Sequence, residues 1–108
     1  MRNITKLSGA AFMNDTYFSM SNTQVMVNDK ETALYLHGHK IAYKDRTNQE
    51  IYFSLCGYPT LTTKERLKGI FVNVNIKQDE PYFNNSIKLD DNKVYKVSDL
   101  KKIISECA

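Results

Sequence analysis

The chain has 108 residues, 42% of them hydrophobic, which suffices for one small core and sets the expectation of a single domain over residues 1–108. Fifteen basic against twelve acidic residues leave a net charge of +3, milder than a dedicated nucleic-acid binder usually carries, with the excess gathered over residues 40–68, where six basic residues stand against three acidic ones. No apolar run approaches the ~20 residues of a membrane span, so no membrane partner is expected.

Residues 1–20 are weakly patterned. Leu7, Ala10, Ala11 and Asn14 fall at helical spacing, but Gly9 and Asn14 weaken a helix, so the segment reads as an N-terminal arm or short helix packed on the body. Residues 23–28 are β-prone, with Val25 and Val27 alternating, and Asn28-Asp29-Lys30 is a turn. Residues 32–37 form the next strand, and Gly38 predicts a tight turn or bulge before a strand over 41–44. A polar loop over 45–48 leads to the strongest strand, 50–56, with Ile51, Phe53 and Leu55 on one face. Such short connections predict an antiparallel meander.

Pro59 cannot continue a ladder, so the sheet breaks after Gly57-Tyr58. Thr62-x-x-Glu65 matches a capping box, and Gly69 sits where a left-handed helix end is wanted, with Leu67 and Ile70 turned toward the core. About two turns of helix cannot stand alone, so this one must dock on the sheet. Residues 71–76 alternate as a strand burying Val72, Val74 and Ile76. Residues 81–89 read as an edge hairpin around Asn84-Asn85, and 94–97 as a last strand. Ser98 caps a C-terminal helix whose Leu100, Ile103, Ile104 and Cys107 form an apolar stripe that needs a sheet or a second copy of the chain to cover it. A homodimer is therefore one expected assembly. The expected fold is α+β: an antiparallel meander of about five to seven strands, one short internal helix and a C-terminal helix.

Few residues suggest chemistry. His37-x-His39 puts two imidazoles on one face of a strand, but the sequence nominates no third ligand, so no metal is expected. Cys56 beside a histidine would make a nucleophile–base pair, yet no acid partner or oxyanion loop accompanies it; Cys56 and Cys107 read as reduced, small apolar residues. Asp79-Glu80 and Asp90-Asp91 sit in turns, where Asp serves the backbone. Four unclustered glycines form no phosphate-cradling loop. No enzyme activity and no cofactor are expected. The binding candidates are Lys64, Arg66 and Lys68 on the internal helix, with Tyr52 and Tyr58 nearby, because basic and aromatic groups together suit phosphate contact and base stacking.

The runs Leu34-x-Leu36-His37-Gly38-x-x-Ile41-Ala42 and Gly57-Tyr58-x-Thr60-x-Thr62-Thr63-Lys64-x-Arg66-Leu67 carry a resemblance. With Asn22-Thr23-x-Val25 they look like a group of small, mostly uncharacterised tailed-bacteriophage proteins, over residues 19–70. The group tends to have Asn, Trp and Asn where this chain has His39, Tyr58 and Lys68, which keeps the turn and helix but changes the exposed side chains. The resemblance implies a phage context and supplies no catalytic residue. The expected function is then a non-enzymatic phage accessory protein in the host cytoplasm that binds a host protein, for host takeover or anti-defence. Nucleic-acid binding through the 64–68 helix is the alternative.

Overall fold

A computed structural model describes residues 2–107, with side chains for 2–106. Helix α1 (Asn3–Met13) leads into a meander of β1 (Phe18–Met20), β2 (Thr23–Val27), β3 (Glu31–Leu36), β4 (His39–Asp45) and β5 (Ile51–Phe53). Helix α2 (Leu61–Lys68) follows, then β6 (Val74–Lys77), β7 (Glu80–Phe83), β8 (Ile87–Lys88), β9 (Tyr95–Lys96) and α3 (Val97–Cys107). The fold is α+β, with an antiparallel six-stranded sheet in the order β1-β2-β3-β4-β5-β9. The expected single sheet divides in two, because β6, β7 and β8 form a separate three-stranded sheet. Residues 71–73, expected to start a strand, instead complete the helix end. The Val72 N–H donates to the Leu67 carbonyl, and the ladder begins only at Val74, paired with Phe83. Strand β9 then returns to the meander and pairs with β5.

Alternation places Thr23, Val25, Thr32, Leu34 and Leu36 on the buried face of β2 and β3. His37 and Gly38 have φ of 52° and 80°, and Leu36 pairs with His39, so β3 and β4 are joined by a two-residue turn that needs left-handed backbone at both positions. The register shifts once, with Leu34 opposite Ala42 but Tyr35 opposite Lys40, leaving Ile41 as an extra residue. Both Ile41 and Ala42 are consequently buried. The bulged backbone is also used: the Ile41 carbonyl accepts the Ser54 N–H at 2.9 Å, and the Lys40 carbonyl accepts the Cys56 thiol at 3.1 Å.

Residues 3–13 are a packed helix, and Gly9 has a reason to be in it. A Cβ on Gly9 would stand 2.1 Å from the Gly69 carbonyl oxygen, and one on Gly69 would stand 2.7 Å from the Thr5 carbonyl oxygen. Helices α1 and α2 therefore touch backbone to backbone, which offsets the ~0.5–1 kcal/mol that glycine costs a helix. The far end of α1 is closed by Asp15 N–H to the Phe12 carbonyl and Thr16 N–H to the Ala11 carbonyl, with Asp15 left-handed at φ 55°. Lys44, 2% exposed, donates to the carbonyls of Phe12 and Met13 at 3.0 Å each and pairs with Asp15 at 3.1 Å. One continuous core joins Phe12, Leu34, Phe53, Leu67, Phe83 and Leu100. Leu100 is buried and Ile104 packs against that core, so the chain covers this part of the C-terminal stripe itself. The Cys107 side chain lies outside the described residues.

Candidate functional site

Helix α2 forms where the sequence places it, but both its ends differ. Thr60, not Thr62, is the N-cap, and its hydroxyl oxygen accepts the Thr63 N–H at 3.2 Å. Glu65 therefore does not close a capping box. It accepts the Arg2 backbone N–H at 3.1 Å and lies 3.7 Å from both the Arg2 and Arg66 guanidinium groups. The Arg2 amide, ahead of the two arginine charges and a Thr5 hydrogen bond, holds the Glu65 carboxyl below its ordinary range. Gly69 is right-handed at φ −62°. The left-handed residue is Phe71, at φ 64°, with its N–H donating to the Lys68 carbonyl and the Val72 N–H to the Leu67 carbonyl, both at 3.0 Å. These two bonds make a Schellman end with Phe71 in the position that glycine usually takes.

The expected basic edge loses its middle member. Arg66 is 2% exposed, donating from Nε to the Thr23 hydroxyl at 2.9 Å and from Nη1 to the Thr5 hydroxyl at 2.7 Å. Burial pushes its pKa down. Arg66 thus ties α1, β2 and α2 together instead of meeting a ligand. Helical spacing carried that signal: two residues after Lys64, Arg66 faces away from Lys64 and Lys68 and toward the side of Thr63 and Leu67. Lys68 is exposed and Lys64 half-buried. Tyr52 lies on the sheet, opposite Tyr43 and stacked on it at 4.9 Å, with the Lys40 ammonium 4.8 Å from the Tyr43 ring. Tyr58 is 52% exposed in the loop before α2, its ring 4.9 Å from His39. The five expected binding residues therefore do not converge on one site.

Tyr58 and His39 form one wall of a cleft of about 340 Å³ floored by the buried side chains of Leu36, Ile41 and Leu55. His37 sits in the hairpin turn, its Nε2 3.4 Å from the Asn22 amide nitrogen, so the two histidines do not share a regular strand face. No group of three or more His, Cys, Asp or Glu among the described residues could hold a metal ion. Cys56 is free, half-buried and left-handed, its thiol directed at the Lys40 carbonyl.

Sequence reasoning missed the surface where α1 and α2 meet. Phe71 is 77% exposed, and beside it lies a trough of about 330 Å³ lined by Gly9, Ala10, Met13 and Gly69, with Lys6 and Lys68 at its rim. Leu7, one turn before Ala10 on α1, is 42% exposed. The alternation of residues 71–76 made Phe71 look like the outer face of a strand, which hid its position at a helix end.

Fold and surfaces together define a small α+β domain that presents apolar and basic side chains to solvent. The chain belongs to the Kyanoviridae Gp96 protein family, a family of phage proteins whose model matches residues 1–102. No curated protein and no solved structure matches it. No helix among the described residues is long and apolar enough to cross a membrane.

Proposed function

We propose that this phage protein is a non-enzymatic accessory protein that binds a host protein, in host takeover or in countering host defence. The observation that carries this reading is Phe71. A left-handed backbone costs a bulky residue roughly 1–2 kcal/mol, and glycine would fill the same helix end without that cost. Exposed as it is, the Phe71 ring recovers little of the cost through burial. Large apolar side chains held out beside other exposed apolar groups are characteristic of protein docking surfaces. Affinity capture from infected cells tests the reading. A host protein is expected on the wild-type bait and should be lost from a folded Phe71→Ala bait. Equal recovery on both baits would remove it.

Nucleic-acid binding remains the second reading, and a specific observation favours it. Tyr52 lies opposite both Tyr43 and Lys96 in register, so these share the outer sheet face with the Lys40–Tyr43 pair. Stacked aromatics with lysines suit single strands. Arg66 cannot contribute, which leaves Lys64 and Lys68 on the helix. A mobility shift that falls steeply with salt and weakens in the Tyr52→Ala/Lys96→Ala variant would support it. No shift at low salt would remove it.

A further inference from the structure

We infer that the trough between α1 and α2 is the docking surface, and that its occupant is an acidic partner segment carrying one or two apolar anchor side chains. This deepens the host-protein reading and rests on it. Gly9 and Gly69 both line the trough, and the place of each missing Cβ is taken by main chain across the α1–α2 contact. The two helices consequently meet closely, and the trough runs along their seam. Met13 and Phe71 also line it, and Leu7 and Ala10 extend the apolar surface along the exposed side of α1. A trough of about 330 Å³ is at the small end for a ligand site and suits an anchor side chain better than a larger cofactor.

Charge decides the partner's sign. Lys6 and Lys68 rim the trough, and Lys64 lies one turn from Lys68. Helix α1, Asn-Ile-Thr-Lys-Leu-Ser-Gly-Ala-Ala-Phe-Met, has no acidic residue. The nearest acid on α2, Glu65, is engaged by Arg2 and Arg66. Among the described residues neither Lys6 nor Lys68 has an ion-pair partner. A second copy of the chain would bring like charges together across such a face, so self-association does not suit it. An acidic segment satisfies both lysines while its apolar side chain enters beside Phe71.

The test uses two labelled synthetic peptides of about 18 residues with leucines at helical i, i+3, i+4, i+7 spacing, one with Glu and one with Lys at the remaining positions. Fluorescence anisotropy with the full chain is expected to show binding of the Glu peptide that weakens with salt, and no binding of the Lys peptide. Affinity should fall roughly tenfold or more in Phe71→Gly, a hot-spot-sized loss, and comparably in Lys6→Glu/Lys68→Glu. Phe71→Gly relieves the left-handed backbone, so its thermal midpoint should not drop. Equal binding of both peptides, or of neither, overturns the acidic partner. So does a single-stranded oligonucleotide binding this face and losing affinity in the lysine reversal. If host capture depends on Phe71 yet ignores the lysine reversal, the acidic class falls and the host-protein reading stands. If capture ignores Phe71 as well, both fall.

Discussion

Arg66 has the longest reach of any side chain on α2, yet it is nearly invisible from solvent. Its guanidinium satisfies hydroxyls on α1 and β2, and its charge meets Glu65 at the surface. Removing the side chain leaves a cavity and takes one donor away from each of the fully buried Thr5 and Thr23 hydroxyls, which keep only their own bonds to Glu65 and Asn22. Arg66→Ala is therefore expected to destabilise by roughly 2–5 kcal/mol, the range for large-to-alanine changes in a core. Lys64→Ala and Lys68→Ala should stay within about 0.5 kcal/mol, as surface substitutions do. Urea unfolding of the three variants reads the contrast directly. An unchanged midpoint in Arg66→Ala would mean that the three-element tie carries no stability. Composition treats these three cations alike, and only their helical register and the threonines across the core separate them.

At the scale of elements, α1 and α2 share one kind of ending and solve it differently. Asp15 takes the left-handed position after α1 and then engages Thr32 and Lys44, so it has a structural role beyond the turn. Phe71 takes the equivalent position after α2 and turns outward. Glycine, the residue that position favours, stands at Gly69 because α1 leaves no room for a side chain there. Gly9→Ala should accordingly destabilise the protein by about 1–3 kcal/mol, the usual cost of overpacking, although alanine is the better helix former. A stability gain by thermal melting would show that the two helices do not meet at this spacing. The same residues explain what was legible. The meander was written in local alternation, the β3–β4 turn in His37-Gly38, and the β7–β8 turn in Asn84-Asn85, both of whose residues have positive φ. Thr62-x-x-Glu65 matched a cap because the motif is short, while Thr60 held the position two residues earlier. Gly69 read as a helix stop because no local pattern shows that the Thr5 carbonyl lies against it. The division into two sheets was hidden for a similar reason: β5 selects β9 over β6 through contacts distant in sequence.

For the whole molecule, the long-range ties fasten α1 at both ends through carboxylates. Near its start, Glu65 holds the Arg2 amide and guanidinium; past its end, Asp15 accepts the Thr32 hydroxyl and pairs with buried Lys44. Both carboxyls are held below their ordinary range. The Thr32 hydrogen bond is the main cause for Asp15, ahead of Lys44 and Arg46, and the Arg2 amide is the main cause for Glu65. A carboxylate with a lowered folded pKa stabilises fully above its unfolded pKa, and that contribution is lost as pH falls through the folded one. The urea midpoint should therefore hold from neutrality to about pH 5 and drop below roughly pH 4, where unfolded Asp and Glu titrate. Other carboxyls titrate in the same window, so the comparison with Asp15→Asn/Glu65→Gln isolates these two. At pH 7 the double variant should be less stable than wild type, and the difference should shrink toward pH 3, with added salt reducing it at neutral pH because both carboxyls are about a quarter exposed. Lines that stay parallel from pH 7 to pH 3 would show that neither carboxylate holds α1.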